Sequence, residues 1–343
     1  MRLTDFDYDL PGGYIAQGPL PERDESRLMV LERADGSIGH RSVADLPELL
    51  PADAVLVFND SKVIPARLRF ARGNGHAEIL LVKPVAGVAD TWECMVRPGP
   101  KFQPGFSAAV DADCRFTVES IQPHYGLRVI RFECDDFEAY LESRGQMPTP
   151  PYIKTELADP SRYQTTYARA KGSVAAPTAG LHFTDRLFGR LAKKGIETAF
   201  VTLHVGLGTF QPVKTDDLSE HRMHSEWFTL SAPVAEQLNR AKAAGRPIVA
   251  VGTTAVRVLE TCADASGMLR PQTGETDIFI TPGYHFKFIN QLITNFQFVE
   301  HVFQCIFFIK PHAVCLQNNV CLFEAREVSR ASAHNASPVS FSK

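Results

Sequence analysis

The stretch Ile248-Val249-Ala250-Val251-Gly252-Thr253-Thr254-Ala255-Val256-Arg257-Val258-Leu259-Glu260 decides the fold class. Its first four residues are apolar and predict a buried strand, and the apolar spacing after Gly252 predicts a helix that begins at once. A strand that runs directly into a helix is typical of α/β sheets, whose ligand sites lie at the carboxyl ends of the strands. We therefore predict a largely parallel sheet with a site near Gly252.

The same alternation of strand and helix continues on both sides of this stretch. Further strands are predicted at residues 54–58 and 199–203. Helices are predicted to begin at the favourable capping residues Thr184 and Ser231 and to end at Gly195 and Gly245. Because the pattern is interrupted once, we predict a discontinuous α/β main domain made of residues 1–65 and 151–295.

Between these two halves the length and spacing of the apolar runs change. Short apolar runs at residues 77–82, 92–96 and 127–132 are separated by clusters of Gly, Pro and Asp. Such spacing is typical of a small antiparallel β-barrel or sandwich. We predict an inserted β-barrel domain over residues 66–150.

Composition excludes several classes of protein. The 343 residues hold 36 Lys and Arg against 39 Asp and Glu, so no polycationic surface covers the whole chain. The seven cysteines include no Cys-x-x-Cys pair, which argues against a disulfide framework and a structural zinc site. The amino end has acids where a signal peptide would be apolar, and the apolar run Phe303–Ile309 is too short to span a bilayer. We expect a soluble, cytoplasmic protein that binds no membrane.

Two histidines are candidates for acid–base chemistry. His182 lies in the small-residue loop Pro177–Phe183, just before a predicted helix whose N–H groups favour anions. His204 ends a predicted strand and precedes the turn formed by Gly206 and Gly208. This turn could cradle a nucleoside or a charged group, although it lacks the third glycine of a dinucleotide-binding motif. A packed histidine in a tight turn and an ordinary strand-to-loop turn remain the alternatives.

Five further residues are predicted to hold a charged ligand. Thr253 and Thr254 stand at the strand-to-helix junction, and Arg257 follows one turn later, a set suited to a carboxylate or a phosphate. Glu275 and Asp277 alternate along a predicted strand entry, where they would face one direction and bind a cation or ribose hydroxyls. Helix capping by the threonines and solvated edge carboxylates are the alternatives.

A metal site is the next hypothesis that the residues suggest. His221, His224 and Glu226 lie within six residues of one another. Their spacing does not match the helical His-Glu-x-x-His pattern that brings two ligands and a base together. We therefore predict that no metal is bound and that these residues form a polar loop before a strand.

A local basic segment lies between Ser161 and Ile196, which contains seven basic residues and one acidic residue, Asp185. Such a local excess is typical of a surface that contacts a phosphate backbone, and a solvated helix face is the alternative. The predicted phosphate-binding residues are Arg162, Arg169, Lys171, Arg186, Arg190, Lys193 and Lys194.

Nine motifs in register across residues 1–295 resemble the S-adenosylmethionine:tRNA ribosyltransferase-isomerase family of the queuosine pathway. These motifs are Leu3–Pro11, Pro21–Leu28, Phe58–Leu68, Tyr163–Ala168, Pro177–Phe183, Leu203–Val213, Met223–Trp227, Gly252–Glu260 and Gly274–Tyr284. The resemblance implies an α/β domain with an inserted small β-barrel.

The resemblance also implies a reaction. The family moves the ribosyl group of S-adenosylmethionine onto 7-aminomethyl-7-deazaguanine at the tRNA wobble position, giving epoxyqueuosine and releasing adenine and methionine. S-Adenosylmethionine is then a co-substrate and precursor-bearing tRNA a partner, and we expect a monomer. A metal-dependent hydrolase that uses His221, His224 and Glu226 is the alternative enzyme.

The chemistry of this reaction suggests roles for the candidate residues. A sulfonium acidifies the protons of the adjacent ribose carbon, so a general base is needed, and His182 or His204 would supply it. Arg257 or helix N–H groups would bind the methionine carboxylate, and Glu275 or Asp277 would balance the sulfonium.

The final segment, Phe296–Lys343, departs from the family. It contains no glycine, and the family's usual ending does not follow Asn295. Because cores tolerate misfitting side chains poorly, we predict a poorly packed or disordered tail with Phe303, Phe307 and Phe308 exposed. A non-catalytic tRNA-binding remnant is therefore a further alternative function.

Overall fold

The structure is a computed structural model that describes residues 2–6, 16–32, 35–73, 75–123, 125–150, 153, 155, 157–206, 208, 217–221, 223–295 and 320–324. The chain forms two compact units. The first is drawn from residues 1–61, 150–170 and 176–343, and the second from residues 62–149 and 171–175. The sequence predicted domain boundaries at residues 66 and 150.

The strands, in chain order, are β1 (Arg27–Leu31), β2 (Ile38–Ser42), β3 (Val55–Asn59), β4 (Ser61–Val63), β5 (Arg67–Arg72), β6 (Gly75–Pro84), β7 (Thr91–Arg97), β8 (Ser107–Ala109), β9 (Arg115–Ile121), β10 (Arg128–Glu133), β11 (Ala170–Ser173), β12 (Glu197–Leu203), β13 (Glu226–Leu230), β14 (Ile248–Val251), β15 (Gln272–Thr276), β16 (Gln291–Asn295) and β17 (Val320–Glu324). The α-helices are α1 (Leu46–Leu49), α2 (Phe137–Arg144), α3 (Asp185–Lys193), α4 (Ala232–Ala243) and α5 (Thr253–Cys262).

The first unit is built on a nine-stranded mixed sheet. Its order is β15-β13-β12-β3-β14-β16-β17-β1-β2. The middle strands β12, β3, β14 and β16 are parallel to one another, and β13 and β15 extend the sheet antiparallel beyond β12. The prediction of an α/β fold with a parallel core is therefore confirmed for this unit, including the strand at Ile248–Val251.

Helix α3 begins and ends where the sequence predicts. Thr184 caps α3 by accepting a hydrogen bond from the Leu187 N–H at 3.1 Å, and Gly195 follows the helix with a φ of 88°. Leu187 and Leu191 are fully buried in the core cluster that also holds Phe58. Burying two leucines contributes about 1.5–3 kcal/mol each, so α3 is fixed to the sheet by this face.

The second unit holds a six-stranded antiparallel sheet in the order β5-β6-β7-β10-β9-β8. Among the described residues, β5 and β8 stand at the two ends of this order, so the pairing does not confirm the closed barrel that we predicted. Phe102 and Phe116 stack in its core. A disulfide joins Cys114 and Cys134, a pairing that the sequence analysis did not anticipate.

The atypical tail contributes one strand to the first unit. Val320–Glu324 forms β17, which pairs antiparallel with β16 and parallel with β1. The prediction of a poorly packed or disordered tail included these five residues, which form a paired strand in the structure. Residues 296–319 and 325–343, with Phe303, Phe307 and Phe308, lie outside the described residues.

No helix in the described ranges is both long enough and apolar enough to cross a bilayer.

Candidate functional site

The candidate site lies at the carboxyl ends of the parallel strands, where ligands bind in most sheets of this kind. Asn59 ends β3, Leu203 ends β12, Val251 ends β14 and Asn295 ends β16. Three groups of predicted residues stand at these ends, namely His204 after β12, Thr253 and Thr254 after β14, and His182 beside Asn295.

Asn59 and Asp60 join the ends of β3 and β12. The Asn59 amide donates to the Leu203 carbonyl at 2.9 Å, and its oxygen accepts the Leu203 N–H at 3.0 Å. Asp60 is buried and accepts hydrogen bonds from Thr202 Oγ1 at 2.6 Å and from Arg169 Nε at 2.9 Å. Neither was chosen as a site residue from the sequence, although an Asn-Asp pair directly after a buried strand was a usable signal.

His204 is half-buried at the end of β12. Its ring lies 4.8 Å from the Trp227 ring, centroid to centroid, and its backbone N–H donates to the Trp227 carbonyl at 2.9 Å. Burial lowers the pKa of His204, and the negative charge of Asp60 opposes this shift. Its Nε2 is buried, and no described residue is within hydrogen-bonding range of it. His204 is therefore neutral at pH 7 with one ring nitrogen unpaired.

His182 lies in a different hydrogen-bonding environment. Its Nδ1 forms a hydrogen bond of 2.8 Å with Ser26 Oγ, and the tautomer of the ring decides which of the two atoms donates. Burial lowers the pKa of His182 to about 4; contacts with the Arg23 backbone and the Asn295 side chain oppose this shift, and the Arg23 charge adds to it. His182 is also neutral at pH 7. The sequence did not indicate Ser26, Arg23 or Asn295 as its neighbours.

The structure does not place the two histidines in one cluster. His204 follows β12, whereas Asn295, beside His182, ends β16, and β3 and β14 lie between these strands. At about 4.8 Å per strand, the two strand ends are about 14 Å apart.

Gly252 and Thr254 shape the amino end of α5. Gly252 has a φ of 87° and is the N-cap residue, so neither threonine caps the helix. A Cβ at Gly252 would lie 3.4 Å from Thr254 Oγ1 and 3.8 Å from the Ala179 Cβ. Thr254 is buried, and its hydroxyl has no hydrogen-bond partner within the described part of the chain.

Arg257, which the sequence predicts to hold a carboxylate or a phosphate, directs its two terminal nitrogens to partners within the protein. It is fully buried; Nη1 donates to Glu226 Oε2, and Nη2 donates to the Thr276 carbonyl at 3.0 Å. Glu226 Oε1 accepts the Gly206 N–H at 2.9 Å. Because both terminal nitrogens are engaged within the protein, Arg257 fixes the Gly206 turn through the Glu226 carboxylate, and its buried Nε has no partner among the described residues.

His221, His224 and Glu226, the residues of the metal hypothesis, lie in three different environments. Both oxygens of Glu226 accept hydrogen bonds from Arg257 and Gly206, and the His221 ring packs 5.2 Å from the Phe279 ring. Burial lowers the pKa of His224 to about 4, and the charges of His221 and Arg257 add to this shift. Within the described ranges, no three His, Cys, Asp or Glu side chains gather as a metal-ligand set. A cation as close as Arg257 disfavours a second cation here.

Glu275 and Asp277 are both exposed, with buried Thr276 between them. Glu275 lies in β15 directly opposite Trp227 of β13, and Ser225 Oγ donates to its carboxylate at 2.7 Å. Of the predicted glycines, Gly206 is half-buried and Gly208 is buried.

The basic segment is largely neutralised by acids from distant parts of the chain. Four of the seven side chains form ion pairs: Arg169 with Asp60, Lys171 with Glu138 and Glu142, Arg186 with Asp24, and Arg190 with Glu48. Asp24 is buried, and hydrogen bonds from Arg186 and Thr184 outweigh the effect of burial and lower its pKa. The local charge excess counted along the sequence is therefore smaller in the fold.

The other three basic side chains differ from one another. Arg162 donates to the carbonyls of Leu20 and Pro21, and Lys194 Nζ donates to the Leu50 carbonyl at 3.0 Å. Lys193 is exposed and pairs with no acid among the residues described. It is the cation of this segment best placed to meet a phosphate.

Comparison with known proteins adds an independent finding. The family described as "Queuosine biosynthesis protein" matches residues 3–303. S-Adenosylmethionine:tRNA ribosyltransferase-isomerase from Symbiobacterium thermophilum is 52% identical over 300 residues, covering 86% of this chain and 87% of that protein. The enzyme of the same name from Moorella thermoacetica is 50% identical over 299 residues, with coverage of 86% and 87%.

A solved structure, that of S-adenosylmethionine tRNA ribosyltransferase from Thermotoga maritima, is 32% identical with a TM-score of 0.49 and covers 93% of this chain and 99% of that chain. The family match and the two curated relatives together show that the chain belongs to the S-adenosylmethionine:tRNA ribosyltransferase-isomerase family of queuosine biosynthesis.

Proposed function

We propose that this chain transfers and isomerises the ribosyl group of S-adenosylmethionine onto 7-aminomethyl-7-deazaguanine at the wobble position of tRNA. Epoxyqueuosine is formed, and adenine and methionine are released. Membership of the family supports the reaction, and the carboxyl ends of the parallel strands supply the site.

One observation carries this assignment of the site. Ser61 Oγ, His204 Nε2 and Thr254 Oγ1 are buried polar atoms without a hydrogen-bond partner among the described residues, and they follow the neighbouring strands β3, β12 and β14. Buried polar groups are nearly always paired, and each unpaired one costs about 1–3 kcal/mol. A substrate rich in hydroxyl, amine and carboxylate groups would pair them.

His204 is the general base in this proposal. A neutral imidazole with an unpaired Nε2 can accept the proton that the sulfonium acidifies on the adjacent ribose carbon. His182 also carries a lowered pKa, but its Nδ1 is taken up by Ser26. We therefore assign His182 a positioning role beside Asn295 and not that of the base.

The amino end of α5 binds the methionine carboxylate. The N–H groups of the first helical turn have no intrahelical partner, and the Thr254 hydroxyl adds a donor beside them. Thr253 stands in the same turn. Arg257 and Glu226 fix the turn that holds Gly206 and Gly208, so that the backbone there approaches the substrate closely.

The remaining assignments complete the proposal. Glu275 and Asp277 balance the positive sulfonium, and Lys193 contacts tRNA together with the exposed parts of the basic segment. We further propose that the chain acts as a cytoplasmic monomer without a metal, with the second unit as an inserted β-barrel.

The tRNA contact has its own test. Lys193 is exposed and pairs with no acid in the described part of the chain, whereas Arg186 holds the buried Asp24, so a charge reversal at Lys193 should leave the fold intact. Lys193→Glu should weaken tRNA binding and lower the slope of log affinity against log salt by about 1. An unchanged slope would remove Lys193 from the tRNA surface.

Release of adenine from S-adenosylmethionine tests the function. The purified chain should release adenine only with tRNA that carries the deazaguanine precursor, and mass spectrometry should find epoxyqueuosine in that tRNA. Retained tRNA binding without adenine release would point to the non-catalytic remnant instead.

A further inference from the structure

Three side chains form a row across the sheet at its β15 edge. Trp227 lies directly opposite Glu275 in the antiparallel pair β13–β15. On its other side, the β12–β13 register pairs Leu203 with Phe228, so His204 comes opposite Trp227, and its N–H donates to the Trp227 carbonyl at 2.9 Å. Opposed residues in antiparallel strands project their side chains from the same face. His204, Trp227 and Glu275 therefore line one face in a row.

The Trp227 indole is exposed where its chain neighbours are not. It is 37% exposed, whereas Glu226 and Phe228, the flanking residues of β13, are buried on the opposite face. The His204 ring lies against it at 4.8 Å with a 37° tilt and supports it from one side. Large exposed aromatic side chains held by a neighbouring ring are characteristic of binding surfaces.

The charges along the row favour a cation. The row contains one carboxylate, Glu275, and a neutral histidine, with Asp60 close enough to His204 to affect it electrostatically. An indole face attracts a cation through its quadrupole, most strongly among the aromatic side chains. A phosphate backbone would instead be repelled by the carboxylate, so the row is not suited to the tRNA chain.

We propose that the indole of Trp227, flanked by Glu275 and His204, binds the sulfonium cation of S-adenosylmethionine. This rests on the proposed function, because it assigns a residue within the same site. Trp227 was not among the residues chosen for the site from the sequence. The row discriminates the charged substrate from its neutral thioether, S-adenosylhomocysteine, which has the same adenosine and amino-acid groups.

The experiment measures the KM for S-adenosylmethionine and the inhibition constant of S-adenosylhomocysteine in the tRNA-dependent adenine-release assay. The variants are Trp227→Leu, which removes the aromatic face, Trp227→Phe, which keeps a weaker one, and Glu275→Gln. The matched control is Trp92→Phe, because Trp92 is the only other tryptophan and lies in β7 of the second unit. Thermal melting establishes that each variant is folded.

Trp227→Leu should raise the KM for S-adenosylmethionine roughly 3- to 30-fold, the range of a cation–π contact, while the inhibition constant of the thioether changes less than twofold. Trp227→Phe should recover part of the loss, and Trp92→Phe should match the wild type. Glu275→Gln should also raise the KM for S-adenosylmethionine more than the inhibition constant of the thioether.

An equal loss for both ligands would overturn the proposal, since it would mean that the indole stacks on the adenine. A raised KM for tRNA with an unchanged KM for S-adenosylmethionine would overturn it in favour of base stacking. Failure of the proposed function is a separate result: the wild-type chain would then release no adenine, and titration calorimetry would show no binding of S-adenosylmethionine.

Discussion

The two ends of α5 show opposite solutions to burying a polar side chain. In its last turns, Glu260 is fully buried; one carboxylate oxygen accepts the N–H groups of Phe288 and Ile289, and the other accepts the Lys287 N–H and the Tyr284 hydroxyl. In its first turn, the buried Thr254 hydroxyl has no partner among the described residues.

This difference separates stability from function within one helix. A carboxylate that accepts four hydrogen bonds is fully paired and holds the segment 284–289 to the helix. Its removal should therefore destabilise the folded protein. An unpaired hydroxyl adds nothing to stability and is retained where a ligand completes it.

The largest effect is expected at the carboxyl end of α5, where the Glu260 carboxylate is fully paired. Glu260→Ala strands four donors that are otherwise satisfied, and it should lower the free energy of unfolding by about 4 kcal/mol, as measured by urea denaturation. The control is Glu236→Ala, which removes an exposed ion pair with Arg240 and should leave stability unchanged. If the two variants unfold at the same urea concentration, Glu260 does not anchor this segment.

His204→Asn should lower the rate of adenine release by about a hundred- to a thousand-fold while leaving the melting temperature close to that of the wild type. The physical reason is that the unpaired Nε2 serves the substrate and not the fold. The same turnover in wild type and variant would show that the general base is another group.

The sequence predicted the elements whose signals are local. Thr184 as a cap, Gly195 as a stop and the apolar run before Gly252 specify α3, β14 and α5 within a few residues, and all three are observed. Propensity, capping and periodicity act over one turn or one strand, so they are readable without tertiary structure.

The site was predicted less completely because its contacts are long-range. Arg257 meets Glu226 from 31 residues away, and Arg186 meets Asp24 from 162 residues away, so neither partner is visible in a local count of charges. The row that contains Trp227 depends on strand register, which the hydrophobic pattern of β13 alone does not reveal.

A smaller effect is expected from pH. Folding lowers the pKa of His182 from about 6.5 to about 4, so the unfolded chain binds more protons between these values, and stability falls as pH decreases through this window. Between pH 7 and pH 5, the wild type should lose about 1–2 kcal/mol more than His182→Asn in urea denaturation. Parallel losses in the two proteins would mean that His182 titrates normally.

The smallest effect is expected at the amino end of α5, where the Thr254 hydroxyl has no partner among the described residues. Thr254→Val keeps the shape and removes a hydroxyl without a partner, so the free energy of unfolding should stay the same or rise slightly. The KM for S-adenosylmethionine should rise about tenfold through loss of one hydrogen bond to a carboxylate. Lower stability with an unchanged KM would reverse the contrast between the two ends of the helix.

We expect substrate to complete the polar atoms at the strand ends that have no partner among the described residues. A crystal structure of the chain with S-adenosylmethionine provides the test. Ligand atoms should lie within about 2.7–3.2 Å of Thr254 Oγ1 and His204 Nε2. A ligand bound elsewhere, with both atoms still unpaired, would contradict it.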